Sequence, residues 1–507
     1  MIIVLLLAAV LGMASCDDYN DWTTSSGALL TFSRDTVDFG TIVTDQSDSL
    51  SQLGVSVPIQ SSATQTLVVR NRNKAGLRIS RVALAGGAES PFRVNVDGEY
   101  LADGEGSDFQ VFARDSIYIR MEVALPYVDG EETVHREDQL VFTLESGQVQ
   151  SIPLVVDGMN VQILKAPVIS EDTTLGTDRP YLIYDSLVIA PGVTLTLPAG
   201  CTLMMHDGVS IDVHGTLVAQ GAVDSPVTFR GDRLDNMFDY LPYDNTPNRW
   251  GGIHIHSDSR DNYLEQCDIH GGDYGIICDS TAWLEGYLAG DAQLLTSLVM
   301  YNSVIHNVGG VGLQLTNCCS EVYGTQISNT LGRCVDIFGG GHQFTHCTIA
   351  QYYPFDADRG DALYVSNYQS DGDVYCPLYY CYFLNSVITG YADDVIMGSV
   401  AETEVYPCDY YFGNCFLRTV VPDDAERYSE VVYDLDDYTE LRGSDNFELF
   451  DTDNFLYRFV PVENSSIRGL ANPTVAASCP FDRYGVSRLA DGAPDAGAYE
   501  AVVVVKD

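Results

Sequence analysis

Lysine is nearly missing from this sequence, occurring only at Lys74, Lys165 and Lys506 of 507 residues. With 26 Lys plus Arg against 71 Asp plus Glu, the net charge is −45, which repels nucleic acid and anionic membrane surfaces at long range. The same field excludes an anionic polysaccharide as a direct partner, unless calcium bridges the two. No Cys-x-x-Cys pair occurs among the 13 cysteines and Cys318-Cys319 stands alone, which argues against a cysteine-built zinc site. Beyond residues 1–15 no stretch approaches the ~20 apolar residues that a bilayer-spanning helix needs. Apolar residues still make up 46% of the chain, so its charge does not signal disorder, and its length suits two or three domains.

Residues 1–15 are apolar, with a core from Ile2 to Val10, and run through Met13-Ala14-Ser15 into Cys16. No Lys or Arg precedes that core, so the true start is expected a few residues upstream. The stretch resembles a bacterial lipoprotein signal, with Cys16 as the lipidated first residue of the mature chain. The implied location is the bacterial outer membrane, exported and anchored on either its inner side or its cell-surface side, with the lipid on Cys16 as the sole membrane contact. A plain secretory signal with an incidental Cys16 is the competing reading. Residues 16–27 read as a polar tether.

Residues 28–165 alternate apolar and polar side chains in about seven short runs, among them Thr66-Leu67-Val68-Val69-Arg70 and Ser116-Ile117-Tyr118-Ile119-Arg120-Met121. Half-buried sandwich strands alternate in this way. The leading Asp38-Phe39-Gly40, the strand ending at Asn71 and the following Leu77-Arg78-Ile79 resemble immunoglobulin-like modules. Arg70, Arg78, Arg81 and Arg93 read as a solvated face.

Residues 166–459 have a different grammar. Val193-Thr194-Leu195-Thr196-Leu197, Thr202-Leu203-Met204-Met205 and Val209-Ser210-Ile211-Asp212-Val213 are strands of four or five residues, separated by Gly200 and Gly208. Strands this short and regular must stack on one another, which predicts coils of a parallel β-helix. Ile269, Ile305, Ile327, Ile349 and Ile388 stand in one phase at steps of 36, 22, 22 and 39 residues. A step of 22 is a bare coil, and the longer steps carry insertions. Cys267 and Cys347 precede these isoleucines where Ser303 and Thr325 do elsewhere, which suggests a buried ladder of small side chains. Disulfides between Cys376 and Cys381, or Cys408 and Cys415, stay open as alternatives. Residues 460–507 read as a last-coil closure or cap.

Leu195-Thr196-Leu197-Pro198-Ala199-Gly200, Gly215-Thr216-Leu217-Val218-Ala219-Gln220-Gly221 and Trp250-Gly251-Gly252-Ile253 resemble the opening coils of the pectate-lyase-like right-handed parallel β-helix superfamily, in its branch of Bacteroidetes-type exported lipoproteins. The resemblance implies an all-β fold, an immunoglobulin-like sandwich followed by a right-handed single-stranded parallel β-helix. It also implies a carbohydrate context, since the superfamily holds lyases, hydrolases and epimerases beside surface proteins without activity. Polygalacturonase-like members use clustered aspartates and a Gly-His-Gly strand end. Asp393, Asp394 and His342 in Gly340-Gly341-His342 are the matching catalytic candidates, although Gln343 replaces the second glycine. A lyase-like site would need a base, and no lysine occurs between Lys165 and Lys506.

A neutral-glycan groove could instead use rings and carboxylates: Tyr240, Tyr243, Asp244, Trp250, Tyr352, Tyr353 and Tyr380 are the ligand-binding candidates. His254-x-His256 would share one strand face, but no acidic third ligand is evident in its phase, so these histidines read as surface groups and no metal site is expected. No cofactor is expected either, calcium being the one ion the acidic composition admits. These features favour a monomeric surface lipoprotein that contacts a neutral polysaccharide or a surface protein and no nucleic acid. A polysaccharide hydrolase or lyase, and a purely structural or adhesive protein, are the alternatives.

Overall fold

The computed structural model describes residues 21–45, 64–125, 133–164, 168–238, 240–281, 296–369, 374–401, 403, 406–453 and 455–501. The signal expected at 1–15, Cys16 and the first part of the expected tether lie outside the described residues. The chain forms two compact units, Met1–Val161 with Leu234–Asn236, and Gln162–Arg233 with Met237–Asp507. No described helix is long and apolar enough to cross a membrane.

The first unit is a sandwich of two mainly antiparallel sheets. One sheet runs Thr31–Phe32, Gln65–Arg70, Ser116–Val123, Phe92–Val96, Glu99–Tyr100; the other contains Val149–Leu164, Thr133–Leu144, Leu77–Leu84 and Glu105–Val111. Alternation does the folding here: Ile117, Ile119, Met121 and Val123 point inward while Tyr118, Arg120 and Glu122 are exposed, and the inward set meets Phe142 and Ile79 in one core. Asn71 anchors the turn that follows its strand, its amide donating to the carbonyls of Ala75 and Val111 at 2.9 and 3.0 Å. Part of the expected tether is already docked on this unit. Thr23 N donates to Gly76 O at 3.0 Å, and Trp22 lies beneath Arg78 at 4.8 Å.

The second unit is a column of parallel β-coils with three sheets. The first face stacks Tyr181–Ile183, Thr202–Met205, Val227–Gly231, Cys267–His270, Val304–Val308, Gln326–Thr330, Thr348–Gln351, Val387–Gly390, Phe416–Leu417 and Val432–Tyr433. The second face includes Ser210–Val213, Gly252–Ile255, Ile276–Cys278 and Leu313–Thr316; the third includes Asn262–Glu265, Leu298–Tyr301, Cys319–Tyr323 and Gly340–Thr345. The chain visits the three faces in turn, so each coil as far as Phe416–Leu417 adds one strand to each sheet.

The isoleucine phase is the inner ladder of the first face. Phe229, Ile269, Ile305, Ile327, Ile349, Ile388 and Leu417 pair in register through consecutive levels, and all are fully buried. The corner entering this face repeats as strictly. Gln266, Asn302, Gly324, His346, Asn385 and Asn414 all take positive φ, between 46° and 56°, a conformation that glycine and asparagine adopt most readily. Each precedes a small buried residue: Cys267, Ser303, Thr325, Cys347, Ser386 or Cys415. The serines tie the levels together, as Cys267 N donates to Ser303 Oγ and Cys347 N to Ser386 Oγ, both at 3.1 Å. Cys381 and Cys415 are buried free thiols, so neither disulfide alternative forms.

The segment expected to close the column's end instead lies along its first face as a strap. From five levels, Asn414 Nδ2 donates to Leu470 O, Asn385 exchanges two bonds with the Asn472 backbone, Ala498 N donates to Thr348 Oγ1, Tyr499 OH to Gln326 Oε1 and Gln266 Nε2 to Arg483 O. Ala350, Val387 and Phe416 of the column share a core with Phe459, Ile467, Ala498 and Tyr499. The Asp482, Arg488 and Glu500 motif builds the strap itself. Asp482 accepts from the amides of Tyr484, Val486 and Glu500 at 2.8 to 2.9 Å, and Arg488 donates to Ala498 O at 3.0 Å.

Candidate functional site

Outward residues of the first face are unlike those of an ordinary solvated sheet. Alternation turns Ile269 inward and therefore Asp268 and His270 outward. Register then sets His270 directly opposite His306 on the next level, and side chains one level apart lie about 4.8 Å from each other. Arg230 stands next to last in the preceding strand, Val227–Gly231, and the turn Tyr243–Asn245 of the long excursion brings in Asp244.

These groups form a closed charge network. His270 Nδ1 donates to Asp268 Oδ1 at 2.8 Å and Nε2 to Asp244 Oδ1 at 2.9 Å, while His306 Nε2 reaches the same Asp268 oxygen at 3.1 Å. Arg230 Nη2 meets Asp244 at 2.5 Å, and Arg483 Nη2 from the strap stands 4.0 Å from Asp268 Oδ2. Burial pushes the Asp268 carboxyl up, but the charges and hydrogen bonds of His270 and His306 outweigh it and hold it well below the usual carboxylate range. Burial pushes His270 down, and Asp268 with Asp244 reverses this, raising it to about 9. The network therefore sets the Asp268 carboxylate against the His270 imidazolium at neutral pH.

The strap and the hairpin Phe447–Asp451/Leu456–Pro461 wall off a cleft of about 210 Å³ beside this network, lined by Asp268, His306, Asn307, Gln326, Ser328, Asn329, Tyr457, Arg483, Tyr484 and Tyr499 among others. Drug-sized ligands occupy roughly 300–1,000 Å³, so this cleft suits a single ring or chain end. Three of its lining residues carry buried polar atoms without a hydrogen-bond partner: Asn329 Oδ1, Tyr457 OH and Arg483 Nε. Unpaired buried polar groups are rare because each costs about 1–3 kcal/mol. An acceptor, a hydroxyl and a guanidinium donor beside the cleft are thus unmet and sealed from solvent in this conformation. A wider depression on the sandwich, about 840 Å³, is lined by exposed Arg93, Tyr100 and Arg120 and collects no such set.

The residues singled out from sequence are placed differently. His342 is fully buried; its Nε2 donates to Gly339 O and its Nδ1 accepts from Ser320 Oγ, both at 2.9 Å, and burial lowers it to about 4. The neighbouring glycine has a packing cause, since a Cβ on Gly341 would stand 2.6 Å from the Tyr380 ring. Asp393 and Asp394 are exposed, Asp393 bound by Arg418 Nη2 at 2.7 Å and Asp394 by Thr419 Oγ1 at 2.8 Å. No hydrogen bond joins His342 to either aspartate, so a catalytic trio is not assembled.

Of the ring candidates, Trp250, Tyr352 and Tyr353 are buried at 0%, 1% and 4% exposure and have no face left for a sugar. Trp250 Nε1 instead donates to His270 O at 2.7 Å, bracing the site from within. Tyr243 is covered by the Arg233 guanidinium at 3.8 Å. Tyr240 is exposed and stacks on Phe238 at 5.7 Å, and Tyr380 is half-buried on the third face. Asp244 alone of this set belongs to the cleft network. His346 is buried at a corner of the column, its Nε2 accepting from Asn385 Nδ2 at 2.9 Å.

Metal ligation also departs from expectation. Two clusters, Asp212 with His254 and His256, and Asp268 with His270 and His306, each place one ligand atom per residue within 4.8 Å of the others. The acidic third ligand that His254-x-His256 lacked is Asp212 from the previous coil, paired in register with His254. These nitrogen-containing sets do not suit calcium, which takes oxygen ligands.

No protein-family model matches this sequence, and no curated protein matches it. Among solved structures, the VesB protease of Vibrio cholerae overlaps 26% of this chain and 31% of its own at 9% identity and a TM-score of 0.16. A family 123 glycoside hydrolase from Clostridium perfringens overlaps 25% of this chain and 26% of its own at 6% identity, also with a TM-score of 0.16. The chain thus spans a third or less of the length of either protein. The catalytic unit of a GH87 α-1,3-glucanase from Streptomyces thermodiastaticus overlaps 80% of this chain and 93% of its own, at 11% identity and a TM-score of 0.18. Overlaps with TM-scores this low carry no argument about function.

Proposed function

We propose that this protein is an exported β-helix lipoprotein, anchored through a lipid on Cys16 to the bacterial outer membrane, that binds one end of a neutral glycan in the cleft between Asp268 and the C-terminal strap. The observation that carries the reading is that three residues lining one small cleft, Asn329, Tyr457 and Arg483, each carry a polar atom without a hydrogen-bond partner. Sugar hydroxyls both donate and accept, so they suit all three groups once these side chains turn toward the cleft, and the exposed ring of Tyr484 offers surface beside them. Binding is favoured over hydrolysis because Asp268 is the sole carboxylate among the described lining residues. It is already committed to two imidazoles, whereas glycoside hydrolysis uses two carboxyl groups about 5 to 9.5 Å apart.

The test is a glycan array probed with the soluble chain from Asp17 onward, followed by product analysis of each retained polysaccharide. The expected result is retention of a neutral glycan without product release, lost on Arg483→Gln. Product release would establish an enzyme instead, and retention of nothing on a broad array would leave a scaffold or protein-binding role.

A further inference from the structure

We propose that Asp212, His254 and His256, on the second face of the column, bind a divalent cation of the zinc class, a site separate from the glycan cleft. The fold presents the donors for a simple reason. Asp212 and His254 occupy the same outward position on successive strands, and His256 follows two residues after His254, where the side chain returns to that side. One ligand atom from each already lies within 4.8 Å of the other two, so small side-chain rotations bring all three to the ~2.0–2.2 Å bonds that zinc makes with nitrogen and carboxylate oxygen.

The surroundings are those of a cation site. Ser210 Oγ donates to Asp212 Oδ2 at 3.0 Å, which leaves Oδ1 turned toward His256 Nε2, 3.0 Å away. Asp279, from the next coil, reaches His254 Nε2 at 2.9 Å and His256 Nδ1 at 3.4 Å, placing a second-layer carboxylate of the kind that orients metal-bound imidazoles. His214 stacks flat on His256, with centroids 4.1 Å apart and planes 1° apart. Among the described residues, no Arg or Lys pairs with Asp212 or Asp279, so no fixed cation occupies the place of the metal.

The cluster of Asp268, His270 and His306 has the same donor types but the opposite surroundings. Arg230 and Arg483 stand over its carboxylates and supply the fixed positive charge that the second-face cluster lacks. Two imidazoles and one carboxylate select zinc and its neighbours over calcium and magnesium, which prefer oxygen alone. Three protein donors leave a fourth position for water or an incoming ligand.

The experiment is calorimetric titration of the chelator-treated full soluble chain with zinc chloride, and separately with calcium chloride, together with visible absorption after addition of cobalt(II). Zinc should bind at about one equivalent with calcium silent, and cobalt should give the intense visible bands of a four-coordinate site. His254→Gln and Asp212→Asn should each weaken zinc at least tenfold, while His306→Ala should leave it unchanged. Absence of zinc uptake, equal uptake of calcium, or loss on His306→Ala with retention in His254→Gln would overturn the assignment. Far-ultraviolet dichroism of each variant separates loss of the site from loss of the fold. Glycan retention by His254→Gln distinguishes a failure of this site from a failure of the glycan reading.

Discussion

The two histidine–aspartate clusters of the column are built alike, from outward residues of adjacent coils, and end up doing different things. On the first face the network is closed by arginines, one from the sheet and one from the strap, and it holds itself together without help. On the second face the same residue types meet carboxylates, Ser210 and another imidazole, and among the described residues no arginine or lysine pairs with them. A repeated scaffold sets where side chains stand; the sign of their neighbours decides whether they form a structural ion network or wait for a cation.

The largest expected separation comes from removing the central carboxylate of each cluster. Asp268→Ala removes the carboxylate that His270 and His306 share and that faces Arg483, leaving Asp244 as the one carboxylate on His270, and loss of one partner from a largely buried network costs about 3 kcal/mol or more. Asp212→Ala, at a half-buried and metal-free surface, should cost less than about 1 kcal/mol. Urea unfolding of the two variants measures the difference, and equal losses would erase the contrast.

Alkali should break the first cluster next. His270 is raised from its ordinary 6.5 to about 9 in the folded chain, so the stability it contributes is fully present below 6.5 and is lost as pH rises through about 9. Asp268 is shifted the other way; its contribution is present above 3.8 and is lost as pH falls through its lower folded value. Thermal unfolding followed from pH 6 to 10 should therefore show a decline that His270→Asn flattens. A decline of equal size in that variant would place its cause elsewhere.

A smaller effect concerns the cleft. Tyr457→Phe removes one unpaired hydroxyl, and since a hydrogen bond contributes about 0.5–1.5 kcal/mol, affinity for a retained glycan should fall roughly 2- to 10-fold at unchanged or slightly increased stability. Glycan affinity and melting temperature, measured side by side, check this. Smallest is His214→Ala, which removes the ring stacked on His256 but no metal donor. Zinc affinity should fall by less than the tenfold loss expected of His254→Gln, as competition with a chromophoric chelator would show.

Much of the column was legible because coils must repeat. The 22-residue steps of Ile305, Ile327 and Ile349 are the inner ladder itself, and the small residues ahead of them are the corner. The same alignment held the sites: the residue after Ile269 and the residue after Ile305 are both histidine, which is how His270 and His306 come to face each other. Asp212 was missed because its partner lies 42 residues later in sequence, with the excursion of residues 234–249 hiding that they are one coil apart. The aromatic candidates misled because a tyrosine or tryptophan looks the same in sequence whether it fills a seam, as Trp250 and Tyr352 do, or faces solvent, as Tyr240 does.

Sequence alone determined the alternating sandwich strands, the coil length, the buried isoleucine and small-residue ladders and the strongly acidic surface, since each is a local or periodic property of the chain. Tertiary structure alone decided that the last residues lie along the first face instead of over the column's end, that Arg483 thereby reaches Asp268, and that Asp212 completes a set with His254 and His256. Those outcomes depend on which coil lies beside which and on what covers it. Stacking and docking are long-range packing events that no spacing between neighbouring residues records.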